Sequence, residues 1–484
     1  MKRSSNLYRW TAFLLAGFAL SCTTGEKPVA GWKSTEEALR DMESVRKLII
    51  PPKFPDKEFV LTDYGAAGDG ETLNTAAFQK AVEDCSSSGG GRVVVPAGTF
   101  LTGAIYLKSN VDLHLSEGSV ILFSRDTKDY PLVFTRWEGM ECMNYSPLIY
   151  AYGEENIAIT GTGILNGNAD NENWWSWKGQ PAHGWKEGMP EQGPDRLALH
   201  ELMRLETDPR TRVFGDGHYL RPNLVQPYNC KNVLISGVKM INSPMWFINP
   251  VLCENVTVEG VTVASHGPNN DGCDPESCRN VLIKDCYFDT GDDCIAIKSG
   301  RDEDGRRIKQ PAENHIIEGC EMKDGHGGVV IGSEIAGGAR NIFAVNCKMD
   351  SPNLDRILRI KTSSSRGGTI ENVFMKDIKV GVYRDAAITF NMFYEKPGNF
   401  IPVIRNIWVE NLDVEDGGKY GVYSRAYEQS PVENVMMVNC NIRGVEKPFD
   451  IDYVKNVQLR NVMINGQPAV LPEAAASTEA AKGE

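Results

Sequence analysis

Three short polar clusters recur at one phase of a repeating chain: Asn269-Asn270-Asp271, Gly291-Asp292-Asp293 and Gly325-His326-Gly327, with Arg359-Ile360-Lys361 following. Each stands beside a Val/Ile-rich run. Three aspartates, a histidine and two cations on one surface would do acid/base chemistry on an anionic substrate. Paired carboxylates suit glycosidic cleavage: one, protonated, donates to the leaving oxygen, and another, ionised, activates water. Crowding three aspartates raises at least one pKa by like-charge repulsion, and the protons then belong to the group rather than to one residue. Arg359 offers a planar fork for a carboxylate, with Lys361 as a compact charge beside it. His326 can bond an aspartate or a sugar hydroxyl. Taken singly, each cluster is weak, because an Asp in a turn commonly satisfies backbone amides and Asp-Asp pairs also bind Ca²⁺. Their order and shared phase carry the argument.

The elements that must position these residues are read from internal repetition. An Asn followed by alternating Val/Ile begins at Asn156, Asn232, Asn255, Asn280, Asn314, Asn341, Asn372, Asn406, Asn434 and Asn456. From Asn232 the intervals are 23, 25, 34, 27, 31, 34, 28 and 22 residues, which fits one solenoid coil with loops of varying length. No unit has room for a long amphipathic helix, no Leu consensus is present, and a propeller blade needs about 40 residues or more. The remaining solution is all-β: a parallel β-helix whose successive strands pair about 4.8 Å apart. Asp292 and His326 each lie 12 residues after their repeat Asn, and Asp271 lies 16 after Asn255 on the preceding coil. Arg359 and Lys361 follow on the next coil. The series therefore climbs one face over roughly 15 Å. Cys230, Cys253 and Cys278 each precede a repeat Asn by two residues, and Cys286, Cys320, Cys347 and Cys440 follow one by six. These are expected to form internal ladders of buried free thiols, close enough that oxidation is sterically open.

The chain has 484 residues, 41% of them hydrophobic, and a formal net charge of −13. That balance argues against a nucleic-acid binder while leaving room for a local cationic patch. Lys2, Arg3 and Arg9 precede the apolar run Thr11–Leu20, which has signal-peptide length and is too short to span a bilayer. Ala19-Leu20-Ser21-Cys22 then reads as a lipoprotein cleavage site with Cys22 lipidated, against the alternative of an ordinary cleaved signal. The expected location is outside the cytoplasm, in the periplasm or tethered to the outer membrane of a Gram-negative bacterium. The domains read as signal 1–22, linker and short helix 23–54, solenoid 55–466 and tail 467–484, disordered from Pro468 onward. Ser34-Thr-Glu-Glu37 signals a helix through Leu48, ended by Pro51, Pro52 and Pro55. Phe59–Tyr64 is expected as a strand, Gly65–Gly70 as a turn, and Thr75–Cys85 as a helix capping the open end. Residues 166–222 interrupt the repeats and carry Trp174, Trp175, Trp177 and Trp185. These either wall a carbohydrate cleft or pack the insertion onto the barrel.

The four clusters, with Gly65–Gly70, Gly89–Gly98 and Asn242-Ser-Pro-Met-Trp246, resemble the polygalacturonases of glycoside hydrolase family 28 over about residues 57–465. The first cluster departs mildly, with Asn270 where the family usually has Thr. The resemblance implies a right-handed parallel β-helix, pectic oligo- or polysaccharide as partner, hydrolysis with inversion at α-1,4-linked galacturonic acid, and no metal or other cofactor. It implies Asp292 as general acid, Asp271 and Asp293 holding and activating water, and His326 supporting the acid's protonation or binding substrate. Arg359 and Lys361 would grip a galacturonate carboxylate, with Asn269 and Tyr394 completing the substrate site. The long insertion and Gly332–Gly338 look like exo-acting bacterial members. A monomer is expected, with no nucleic-acid partner and membrane contact only through the N-terminal lipid. The rival readings are a rhamnogalacturonan or other pectin-side-chain hydrolase of the family, a calcium-dependent lyase on the same solenoid, and a non-catalytic glycan-binding solenoid.

Overall fold

The recurring asparagine is the residue that makes the coils stack. In a computed structural model, which describes residues 31–472, each repeat Asn adopts left-handed backbone, with φ 55° at Asn232, 60° at Asn314 and 57° at Asn341. Apart from glycine, Asn and Asp enter this region most readily. The Asn232 side-chain amide donates to Oδ1 of Asn156 at 2.9 Å, Asn314 to Asn280 at 3.0 Å, Asn341 to Asn314 at 3.0 Å, and Asn456 to Asn434 at 3.1 Å. The ladder starts one coil before the first recognised repeat, at Asn110, which accepts from Asn156 at 3.0 Å. The export segment with Cys22, and the tail beyond residue 472, lie outside the described residues.

Beyond each ladder Asn the strands pair in parallel without slippage. Val111, Ile157, Val233, Val256, Val281 and His315 are successive partners, continuing through Ile342, Val373, Ile407, Val435 and Val457. Alternate residues of these strands fill the barrel interior and are buried from Val111 to Val435, with Val457 on the last coil only partly buried. A second wall matters more for function. Six parallel strands, Ile295–Ile297, Val329–Ile331, Arg356–Lys361, Ala386–Asn391, Tyr420–Arg425 and Lys447–Ile451, form one sheet. Single bridges Ile248↔Cys273 and Cys273↔Ile295 extend it to the earlier coils. The fold is thus the expected parallel β-helix.

The cysteine ladders are present. The backbone N–H of Cys230 points at Sγ of Cys253, and that of Cys253 at Sγ of Cys278, both at 3.4 Å. The described cysteines are buried free thiols, and burial pushes the Cys253 thiol up, which keeps it unreactive.

The N-terminal region differs from expectation in two places. Only Glu58–Val60 is a strand; Leu61–Tyr64 turns into a 3₁₀ helix closed by Gly65 at φ 84°. Leu61 is fully buried under the capping helix Thr75–Ser87, so the chain must bend inward there. Asp69 and Gly70, expected in a turn, already belong to the strand Asp69–Leu73. The helix Thr35–Arg46 forms behind its predicted cap, with Ser34 Oγ accepting from Glu37 N at 3.3 Å and Glu37 returning to Lys33 N at 2.9 Å. It lies along the outer surface of the coils. Ala38, Met42 and Val45 pack on Ile316, Phe343, Phe374 and Trp408, and Arg46 pairs with Glu318 at 2.7 Å.

The ladder makes a separable prediction. Asn341→Gly removes the amide but keeps the left-handed backbone; Asn341→Ala removes both. The Ala variant should be less stable than the Gly variant by about 1 kcal/mol, read from chemical-denaturation midpoints. Equal midpoints would show that backbone conformation does not select Asn here.

Candidate active site

Stacking turns the three clusters into one site. The turn carrying Asn269–Asp271 precedes Cys273, that carrying Asp292-Asp293 precedes Ile295, and that carrying Gly325–Gly327 precedes Val329. Cys273, Ile295, Val329 and Leu358 are consecutive partners across the sheet. The turns are close-packed: a Cβ on Gly291 would meet the Gly267 carbonyl at 2.4 Å, so only glycine lets these coils approach. Backbone bonds Gly272 N–H to Asp293 O (3.0 Å) and Cys294 N–H to Gly327 O (2.9 Å) fix their levels.

The carboxylates of Asp271, Asp292 and Asp293 converge, with one oxygen of each within 4.8 Å of the others. Separate cations compensate them. Asp293, fully buried, accepts from Lys361 Nζ at 2.6 Å and from Arg359 Nη1 at 3.2 Å. Asp292 accepts from the half-exposed His326 through Nδ1 at 3.0 Å, and from the Asn269 amide at 3.4 Å. Lys298 Nζ lies 3.9 Å from Asp271, 3.6 Å from Asp274 and 3.1 Å from Glu334. Tyr394 places its ring 5.5 Å from the Arg359 guanidinium and 5.2 Å from Lys361 Nζ. The eight candidate site residues, Asn269, Asp271, Asp292, Asp293, His326, Arg359, Lys361 and Tyr394, therefore meet in one place.

The electrostatics divide the aspartates. Burial, then the charges of Asp274 and Asp292, push Asp271 well above the usual carboxylate range. Burial also opposes ionisation of Asp292, but the His326 hydrogen bond and charge, then Lys361 and Lys298, outweigh it and hold that carboxyl low. The same hydrogen bond raises His326 against its own desolvation. The raised pKa thus falls on Asp271, while Asp292 and His326 share a proton.

Asn270 has a structural task. Its fully buried amide accepts from Gly267 N–H (2.9 Å) and Ser265 Oγ (2.8 Å) and donates to the carbonyls of Ser243 (3.0 Å) and Met245 (2.9 Å). It braces the turn that aims Asn269 and Asp271.

The tryptophans of the insertion pack it down. Trp174 is fully buried, 5.8 Å from the Tyr130 ring and 4.7 Å from Trp177. Trp175 donates to Ser243 O at 2.8 Å and lies against Gly267, and Trp185 donates to Met189 O at 3.0 Å within the insertion. What the insertion adds to the site is polar. Lys178, Gln192 and Arg196 line a cavity of about 390 Å³ with Trp246, Asp271 and Asp292. Arg196 bonds Glu138 at 2.7 Å, at the turn of the hairpin Leu132–Trp137/Met140–Tyr145, which the sequence reading missed. Lys298 was also missed, although a Lys directly after Ile-Ala-Ile on the coil of Asp292 is a readable signal. Lys178 and Arg196 gave none, because the insertion has no register.

Comparison with known proteins identifies the family. Residues 215–462 match the profile of Glycosyl hydrolases family 28, and residues 59–114 that of Rhamnogalacturonase A/epimerase, pectate lyase-like. The chain belongs to glycosyl hydrolases family 28. It is 32% identical to a probable polygalacturonase of Vitis vinifera over 65% of this chain and 59% of that protein. It is 28% identical to the exo-poly-alpha-D-galacturonosidase of Dickeya chrysanthemi over 69% of this chain and 57% of that protein. The chain thus spans under two thirds of the length of these two relatives. The crystal structure of a hyperthermoactive exopolygalacturonase from Thermotoga maritima superimposes with TM-score 0.85 at 46% identity, covering 89% of this chain and 96% of that one.

Asp274 yields a stability prediction. Burial pushes its carboxyl up to about 8, against roughly 3.9 for an unfolded Asp. The folded state then binds a proton that the unfolded state has released, so this stability is complete below the unfolded value and lost as pH rises through about 8. Asp274→Asn should lose less thermal stability than the parent between mildly acidic and mildly alkaline pH. A steeper loss in the variant would contradict the assignment.

Proposed function

We propose that this protein hydrolyses α-1,4-linked galacturonic acid in pectic polysaccharide by single displacement with inversion, acting from chain ends. The observation that carries the reading is the convergence of Asp271, Asp292 and Asp293, the first two lining the cavity, with Asp292 bonded to His326 and Asp293 to Lys361 and Arg359.

The Asp292–His326 pair holds one proton from below the usual carboxyl range to above the usual imidazole range, and that proton belongs to the pair. In the tautomer with the proton on Asp292, it is donated to the leaving glycosidic oxygen. Water held by Asp271 and Asp293 attacks the anomeric carbon and leaves its proton on ionised Asp271, which burial makes more basic than an ordinary aspartate. His326 positions the acid and recharges it. Arg359 and Lys361, backed by Tyr394, bind the carboxylate of the sugar next to the broken bond, and Asn269 adds a polar contact. Carboxylate oxygens within 4.8 Å are closer than the roughly 6.5–9.5 Å typical of inverting pairs. Inversion is nevertheless favoured, because both oxygens of Asp293 are engaged by cations, which withdraws it as a nucleophile.

Chain-end action is supported by the 46% identity to the Thermotoga exopolygalacturonase. It is also supported by the Glu138–Arg196 contact between hairpin and insertion at the cavity rim. The basic start, the apolar run and Cys22 support export with a lipid anchor, periplasmic or on the outer membrane. Among the described residues no helix is long and apolar enough to cross a membrane.

Polygalacturonate should yield new reducing ends without the ultraviolet absorbance of an unsaturated sugar, and chelator should not slow it. Absorbance that vanishes with chelator would instead support a lyase using the aspartates for a cation. Asp292→Asn should cost about 10²–10⁴-fold in kcat, with folding intact; equal activity would remove Asp292 from the mechanism. Because the parent His326 titrates above the ordinary value of about 6.5, His326→Gln should move the high-pH limb of kcat to lower pH.

A further inference from the structure

The cations at this site differ in one respect that has a functional consequence. Lys361 and Arg359 are already paired with Asp293, and Lys298 and Arg301 with Glu334. Lys178 and Arg221 are not paired in this way. Lys178 Nζ donates to Asn269 Oδ1 at 2.7 Å, and Arg221 Nη2 donates to the same oxygen at 2.8 Å. Three further Arg221 donors go to neutral acceptors: Gln192 Oε1 (2.8 Å) and the carbonyls of Pro244 (2.8 Å) and Pro268 (2.7 Å). Among the described residues no carboxylate reaches ion-pair distance of either; Glu138 and Asp292 act on both only at longer range.

Two desolvated cations sharing one neutral oxygen, without a counter-ion, are electrostatically incomplete. Burial and the adjacent Arg221 lower the Lys178 pKa, the direction expected of a cation that lacks its anion. Arg221 is fully buried, has four of its five N–H donors engaged and does not line the cavity. Lys178 lines the cavity, and only one of its three donors is engaged. Along the solenoid the order is Asn269, Asp292, then Lys361, so Lys178 and Lys361 flank the proposed acid.

Resting on the galacturonan reading above, we propose that Lys178 is a second carboxylate anchor, which binds the uronate of the sugar inside the cavity while Arg359 and Lys361 take that of the sugar across the scissile bond. The insertion then contributes chemistry as well as a wall. It makes the site require a free carboxylate on the terminal sugar and reject its methyl ester.

The test uses trigalacturonate and the same trisaccharide methyl-esterified only at its non-reducing end. The parent protein should prefer the free acid by about 10²-fold or more in kcat/KM, because the ester leaves Lys178 unpaired. In Lys178→Met that ratio should collapse to near unity, mainly through loss on the free acid, and Lys178→Arg should restore most of it. Lys178→Met falling equally on both substrates would show that Lys178 only positions Asn269 and would overturn the proposal, as would an unchanged ratio. A parent that cleaves neither uronide would instead overturn the galacturonan reading itself. Circular dichroism confirms that each variant is folded.

Discussion

The site depends on the coils stacking without slippage. A parallel sheet with a side-chain period of two tolerates no shift of one residue, since every outward group would then face the interior. The asparagine ladder enforces this from one corner of the barrel. It combines the left-handed turn, which Asn enters readily, with an amide that bonds its equivalent one coil away. The second sheet and the turns that lead into it inherit that precision. The clusters lie far apart in sequence, yet the carboxylates converge because each is placed at a fixed offset from a paired strand residue.

Convergence creates a second constraint. Three aspartates this close cannot all ionise without compensation. The structure answers with cations drawn from later coils for Asp292 and Asp293 and with a buried lysine for Asp271. The result is a graded set: burial makes Asp271 more basic than an ordinary aspartate, Asp292 shares a proton with His326, and Asp293 is clamped by Lys361 and Arg359. On the proposed mechanism, that grading separates an acid from a water-holding pair without any change in residue type. It is environment, not identity, that assigns roles to chemically identical side chains.

Much of this was legible in the sequence because the solenoid writes its geometry as periodicity. The repeat Asn, the cysteine ladders and the shared offset of Asp292 and His326 all map onto observed stacks. The N-terminal helix was legible from its cap, but its berth on Phe343, Phe374 and Trp408 was not, since those contacts join residues about 300 positions apart in the chain. The strand at Phe59–Tyr64 was overextended because the inward bend at Leu61 is dictated by the capping helix rather than by local propensity. The insertion was legible only as an interruption. Its tryptophans drew attention through size, yet they serve as packing, and the groups that reach the cavity, Lys178 and Arg196, look like ordinary surface charges until the fold places them.

The central claim is that Asp292 protonates the leaving oxygen while Asp271 and Asp293 direct a water in a single displacement. The most direct measurement is the anomeric configuration of the first sugar released, followed by proton NMR in deuterated buffer before mutarotation. The account predicts the β anomer from the α linkage. Initial release of the α anomer would contradict it, because retention requires an aspartate to attack the sugar directly.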